Sequence, residues 1–327
     1  MNLGILGFAH GHVGMYIGEW RKRDDVQLVA GWDHDVERAK KSGIPVADSV
    51  ADVLRQVDAV VIASETSRHA ELVEQAAAAG KAIILQKPLA LTLAEADRIV
   101  AATKNVPFTL AWQMRVDPHN LQLKALLPEF GKVYMVRRRH GLPTQTFKDF
   151  DKSWHVQPEL NRDIFADDAA HPIDFLYWLK GLPVSVSAEL STMSLANDTG
   201  IALFRYADGA LGEVSCSFLA LAGENVTEVI CERGVIIQNY GDVPSCNGPR
   251  PPGAGPQLKW FRDEKWTASE LPEIKDHGER IRGLAGPLLE FLQSKRPSLA
   301  TAAEGREVLR LVLACYESDK QGKRISL

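Results

Sequence analysis

The sequence predicts an α/β protein, with an N-terminal doubly wound domain on a parallel sheet and a C-terminal α+β domain on an open, mostly antiparallel sheet. Three observations predict it. Short apolar runs alternate with helical segments through the N-terminal part at the spacing of βαβ units. Strand-like runs then follow one another with a single helix among them, the grammar of an antiparallel sheet. A chain of 327 residues, 45% of them hydrophobic, also exceeds what one core supports. Two domains are therefore expected, over residues 1–116 and 117–327.

Leu3 to Leu6 reads as a short buried strand. The loop Gly7-Phe8-Ala9-His10-Gly11-His12 follows, and then Val13, Tyr16, Ile17 and Trp20 fall at i, i+3, i+4 and i+7 of a helix. Strand, glycine-bearing turn and helix N-terminus are the setting in which backbone N–H groups receive a pyrophosphate. The fingerprint G-x-G-x-x-G is imperfect, since Ala9 takes the second glycine position and His12 the third. Val26 to Trp32 makes a second strand ending in Asp33. An acidic residue there accepts adenosine ribose hydroxyls and repels a 2′-phosphate, which favours NAD over NADP, or else it caps the helix from Val36 to Ser42.

Asp58 to Ala63 is a third apolar strand, and Ser64 to Ser67 a turn. Arg68 to Ala79 is a helix closed by Gly80, with His69 in its first turn either capping, packing or touching a ligand. Ala82 to Leu85 is a buried strand that ends on Gln86, Lys87 and Pro88. In an open α/β sheet ligands bind beyond the carboxyl ends of the strands, so Lys87 is delivered to where a bound molecule would react. Thr92-Leu-Ala-Glu95 is a capping box opening a helix to about Asn105, and Pro107 to Trp112 is the last parallel strand.

Asp117-Pro118 starts a helix to Leu127. Strands are expected over 131–140, 183–190, 199–206, 210–218, 226–231 and 234–239, with the turn Ala207-Asp-Gly209 joining two as a hairpin. The interposed helix runs from about Asp167 to Lys180. On its wheel Asp167, His171, Asp174 and Trp178 share one stripe. An Asp one turn before a His can hold one imidazole nitrogen and leave the other for proton transfer, or the set is a satisfied polar network. The stretch 141–166, containing Trp154 and His155, is long enough to be a lid, and 241–257 reads as a surface excursion. Helices from about Glu279 to Gln293 and from Thr301 to Ser318 complete the chain.

Charge and cysteine content exclude several classes. With 38 basic and 42 acidic residues there is no footprint for nucleic acid, and the run Arg137-Arg138-Arg139-His140 reads as alternation along a strand. No apolar run reaches membrane-spanning length. Cys216, Cys231, Cys246 and Cys315 are too far apart in sequence to form a metal or redox pair, so no metal is expected and a reducing cytoplasm fits. The start of the chain lacks a signal-peptide pattern.

Three motifs in order resemble the glucose-fructose oxidoreductase and inositol dehydrogenase (Gfo/Idh/MocA) family. Gln86-Lys87-Pro88 is similar to its Glu-Lys-Pro, and Asp167-x-x-x-His171-x-x-Asp174 to its Asp-x-Gly-x-His-x-x-Asp helix. Ala303-Glu-Gly305 through Tyr316-Glu-Ser318 and Gly322-Lys-Arg324 are similar to its last helix and tail. The resemblance implies a Rossmann domain followed by an α/β domain whose open sheet builds homodimers or homotetramers. It also implies NAD(P)-linked oxidation or reduction of a sugar, cyclitol or related polyol.

By position, Lys87, Asp167 and His171 become the catalytic set, with Arg115, Trp154, His155 and Asp174 joining Lys87 and His171 at the substrate. Gly7, Phe8, Ala9, His10, Gly11, His12, Asp33, Ser64, Thr66, His69, Gln86 and Lys87 become the cofactor contacts. In the implied chemistry His171, oriented by Asp167, takes the hydroxyl proton while Lys87 holds the same oxygen. Three departures stand out: Gln86 for the family's Glu, Ala9 in the fingerprint, and Asn161-Arg-Asp163 where many members carry glycines. Two rival functions share these residues, an NAD-retaining glycoside hydrolase or lyase acting by transient oxidation, and a ligand-sensing regulator without turnover.

Overall fold

A computed structural model describes residues 1–221, 225–239 and 253–327. Cys246 and most of the stretch 241–257 lie outside the described residues. The chain divides into two units. The first comprises 1–113, 157–162 and 281–309, and the second 114–156, 163–280 and 310–327.

The first unit is built on five parallel strands, β1 (Asn2–Leu6), β2 (Gln27–Trp32), β3 (Ala59–Ile62), β4 (Ala82–Leu85) and β5 (Phe108–Leu110), in the order β2-β1-β3-β4-β5. All four pairings are parallel, and Leu3, Ile5, Val60, Val61, Ile83 and Ile84 are fully buried, as sheets covered on both faces require. Beyond β2 a one-residue parallel bridge, Gly31 to Val46, marks where a sixth strand of the dinucleotide-binding order would lie. The strand order reverses between β1 and β3, so the ligand crevice of this unit opens at Gly7 and Ser64.

Helices α1 (His12–Trp20), α2 (Val36–Lys41), α3 (Val50–Gln56), α4 (His69–Ala78) and α5 (Leu93–Ala102) connect these strands. Thr92 and Glu95 form the expected capping box on α5. The cap of α2 is Asp35, whose side chain accepts from Arg38 N–H, which releases Asp33 from that task. The unit is not continuous in sequence. Ala300 C=O accepts from Leu110 N–H at 2.9 Å, Ala285 C=O accepts from the Trp20 indole at 2.8 Å, and Arg306 pairs with Asp97 at 2.5 Å. These bonds explain why 281–309 belong with the N-terminal sheet and why a single cut at 116/117 does not divide the chain.

The second unit holds a nine-stranded sheet with the order β13-β12-β11-β10-β6-β9-β8-β7-β14. Its strands are β6 (Val133–Gly141), β7 (Ser185–Ser191), β8 (Thr199–Arg205), β9 (Leu211–Ser217), β10 (Val226–Cys231), β11 (Gly234–Asn239), β12 (Leu258–Arg262), β13 (Lys265–Ala268) and β14 (Ile325–Ser326). Only β6 and β9 pair in parallel. The last three strands were not expected. The β12–β13 turn puts Asp263 and Glu264 at positive φ without a glycine or asparagine to signal it, and β14 is too short to show a period.

Helices α6 (Pro118–Leu126) and α8 (Ala170–Lys180) belong to this unit, and α8 packs on β6 and β9. Asp117 caps α6 as expected. The stretch 141–166 is not structureless, since it folds as three single 3₁₀ turns and the short helix α7 (Pro158–Asn161). The helix expected from Glu279 to Gln293 is two, His277–Arg282 and Ala285–Leu292, broken around Gly283 with Pro287 in the first turn of the second. Cys216, Cys231 and Cys315 are free and buried, and none of the helices among the described residues is long and apolar enough to cross a membrane.

Gly7 has φ +85°, and a Cβ built on it would lie 2.5 Å from the Ser64 backbone. Gly7→Ala is therefore expected to lower unfolding free energy by about 3 kcal/mol, from left-handed strain and overpacking together. Chemical denaturation midpoints check this, and an unchanged midpoint would contradict the tight approach.

Candidate active site

In the first unit the carboxyl ends of β1, β2, β3 and β4 carry the expected cofactor residues. Gly7 N–H donates to Trp32 C=O at 2.7 Å and His10 N–H to Ala63 C=O at 3.0 Å, which folds the loop over the sheet edge. α1 begins after Gly11, which has no side chain to cap it, and its first N–H groups turn back on the loop, His12 N–H to His10 Nδ1 at 3.4 Å and Val13 N–H to His10 C=O at 3.1 Å. A Cβ on Gly11 would meet nothing within 4 Å. A closely held glycine turn with open space beside it at a helix N-terminus fits a pyrophosphate. Ala9 does not prevent that turn from forming.

Asp33 ends β2 as expected, but its carboxylate is already bound. Oδ2 accepts from Phe8 N–H and from Arg38 Nε, each at 2.7 Å, and Oδ1 accepts from Asp35 N–H at 2.9 Å and from Arg38 Nη2 at 2.7 Å. Four donors fill the roughly four acceptor positions that a carboxylate has. Arg38 also donates to Glu65 Oε1 at 2.8 Å. Burial alone would push the Asp33 pKa up, but the Arg38 guanidinium and the two backbone N–H groups outweigh it and hold the carboxyl below its ordinary range.

Thr66 donates its hydroxyl hydrogen to Asn161 Oδ1, so the unexpected Asn161 closes on the end of β3. His69 is fully buried. Its Nδ1 faces Pro88 C=O at 3.0 Å and its Nε2 faces Ser64 C=O at 3.3 Å, which ties the end of β4 to that of β3. That makes His69 a packing residue beneath the crevice. Gln86 Nε2 donates to Tyr16 Oη at 3.0 Å inside the core, whereas an ionised glutamate there would instead accept the Tyr16 hydroxyl hydrogen. Lys87, joined to Pro88 by a cis peptide bond, is 3% exposed.

In the second unit the helix expected over Asp167 to Lys180 starts differently. Phe165–Ala169 is a π-turn, and α8 begins only at Ala170. The wider turn changes the wheel. Asp167 pairs with His155, Oδ2 to Nδ1 at 2.9 Å, while Asp168 stands beside His171, Oδ1 to Nε2 at 3.5 Å, and beside His140, Oδ2 to Nε2 at 3.4 Å. π-turns of this kind recur at functional sites. His155 stacks on Trp154 with ring centroids 3.9 Å apart. Burial, only partly offset by Asp168, holds the His140 pKa below the ordinary histidine value.

Arg115 and Asp174 grip each other in a buried two-pronged pair, at 2.7 and 3.1 Å. This pair anchors the middle of α8, with Asp174 0% and Arg115 4% exposed. Four residues that the sequence did not single out lie against the expected ones: Arg38, Glu65, His140 and Asp168. For His140 the signal was present, because inward alternation along β6 buries Val136, Arg138 and His140 together. No group of His, Cys, Asp or Glu among the described residues could hold a metal ion.

A parallel sheet with its crevice at the reversal point and a tight glycine turn leading into a helix define a dinucleotide-binding type of fold. Known proteins carry this further. A family model described as "Oxidoreductase family, NAD-binding Rossmann fold" matches residues 1–111, and the "GFO/IDH/MocA C-terminal domain" model matches 121–237. The chain belongs to the Gfo/Idh/MocA family of NAD-linked oxidoreductases. It is 25% identical to myo-inositol 2-dehydrogenase of Thermotoga maritima over 100% of this chain and 98% of that one. It is 26% identical to D-apiose dehydrogenase of Paraburkholderia graminis, over 95% and 86% respectively. An oxidoreductase from Agrobacterium radiobacter, solved with NAD+, L-tartaric acid and magnesium, shares the fold at a TM-score of 0.82 and 20% identity, covering 100% of this chain and 98% of that one.

Two outcomes test this description. Burial lowers the His69 pKa to about 4, against carbonyls of Leu89, Ser64 and Pro88 that act the other way. Between about pH 6.5 and 4 the unfolded chain takes up a proton that the native one refuses, so stability is full above that window and falls through it by on the order of 3 kcal/mol. Denaturant melts across the window should show this slope, and His69→Gln should remove it. Asp174→Ala removes the carboxylate from a buried ion pair with Arg115 and should cost about 3 kcal/mol in the same melts.

Proposed function

We propose that the chain moves a hydride between NAD and a hydroxyl or keto carbon of a sugar, cyclitol or related polyol. The observation that carries the reading is Lys87, an almost fully buried lysine at the carboxyl end of β4 in a sheet whose family binds NAD. Relatives named for myo-inositol and D-apiose support the substrate class.

When bound, NAD supplies the hydride acceptor. The remaining tasks fall to side chains. The Lys87 ammonium holds the reacting oxygen and stabilises negative charge developing on it, and the His171 imidazole takes the hydroxyl proton. Asp168, 3.5 Å from His171 Nε2, stabilises the imidazolium that this produces. Asp167 takes part by fixing His155, and the stacked faces of His155 and Trp154 offer an apolar surface for the C–H side of a polyol ring. Arg115 and Asp174 keep α8, and with it His171, in register.

Assembly as a homodimer or homotetramer is proposed through the outer face of the nine-stranded sheet. There Ile201 and Leu203 are half exposed on β8. A cytoplasmic location agrees with the free cysteines.

A polyol and aldose panel with NAD, followed by NADH absorbance, tests the reading. Lys87→Met is expected to lower kcat/KM by at least about a hundred-fold with little change in melting temperature. Full turnover in that variant would refute the role of Lys87. Cleavage of a glycoside without net NADH would replace simple oxidation by the elimination route.

A further inference from the structure

The saturation of Asp33 leaves the adenosine end of the crevice without the acceptor that its position promises. Asp33 and Glu65 are both buried, beyond the carboxyl ends of β2 and β3, the strands on either side of β1, and Arg38 bridges them. Glu65 spends Oε1 on Arg38, whereas its Oε2 accepts no hydrogen bond. The groups facing that oxygen are His34, with Nδ1 at 3.8 Å, and Arg68, with Nε at 4.0 Å, beyond hydrogen-bond reach in both cases. Both are more than a third exposed, so they can swing aside, whereas the Glu65 and Asp33 side chains are held from below.

We infer that Glu65, not Asp33, is the residue that accepts an adenosine ribose hydroxyl and sets the preference for NAD over NADP. This rests on the NAD-linked reading and deepens it. A buried carboxylate oxygen without a donor is costly, and a ribose O–H supplies the donor it lacks. A 2′-phosphate has no hydrogen to give there and brings negative charge against the carboxylate. Arg38 acts as a positioning residue: clamped by Asp33, it fixes Oε1 and so aims Oε2. The balance of charge follows. With Glu65 present, Arg38 and Arg68 are matched by two carboxylates, and without it they face Asp33 alone, an arrangement that welcomes phosphate.

The test is equilibrium binding of NAD and NADP to the full chain, by calorimetry or by quenching of tryptophan fluorescence, which needs no turnover. In wild type NAD should bind more tightly. In Glu65→Gln the ratio Kd(NADP)/Kd(NAD) should fall by about ten-fold or more, the size expected for losing a charge-assisted hydrogen bond. Glu65→Asp keeps the charge but withdraws the oxygen, and should weaken NAD several-fold while NADP stays excluded. It carries the test if the Gln variant does not fold. Preference for NAD in wild type with an unchanged ratio in Glu65→Gln, or unchanged NAD affinity in Glu65→Asp, overturns this assignment alone. A wild-type chain that binds neither dinucleotide overturns the NAD-linked reading and this assignment with it.

Discussion

Gly7 lies against the Ser64 backbone with no room for one methyl carbon, and the nucleotide end of the first unit depends on that approach. The loop that follows is pinned to the ends of β2 and β3 through Gly7 and His10, and α1 starts from it with Val13 N–H bonded to His10 C=O. The approach also brings the turn after β3 within reach of α2, which is why one guanidinium can join Asp33 to Glu65. Backbone geometry comes first here, and the electrostatics are arranged on it.

The parallel sheet was legible because its strands are short, fully apolar and separated by helices with recognisable caps, such as Thr92 with Glu95. The open sheet was legible from alternation, as in β8, where Gly200, Ala202 and Phe204 point inward. What alternation cannot reveal is a strand of two residues, like β14, or a hairpin whose left-handed positions are filled by Asp263 and Glu264. Nor does local pattern announce that a segment nearly two hundred residues away completes the edge of β5. That contact rests on backbone groups, which every residue carries.

The site was legible in its residue types more than in their pairings. Asp167, His171 and Asp174 were picked from a helical wheel that assumed 3.6 residues per turn, and the π-turn before α8 breaks that assumption. Asp167 pairs with His155 there, and Asp168 stands 3.5 Å from His171 Nε2. Asp33 was read from its place after β2, which is right, but no motif states that a residue five positions on will occupy its carboxylate.

The composition of the first unit has a bearing on how the chain is made. Residues 1–113 leave the ribosome with the Trp20 indole and the outer edge of β5 lacking the carbonyls of Ala285 and Ala300. Those carbonyls arrive only after the second unit's residues up to Arg280 have been synthesised. The nascent N-terminal sheet must therefore wait, with an uncovered strand edge, for nearly the full length of translation, a state that chaperones which shield exposed edges would serve.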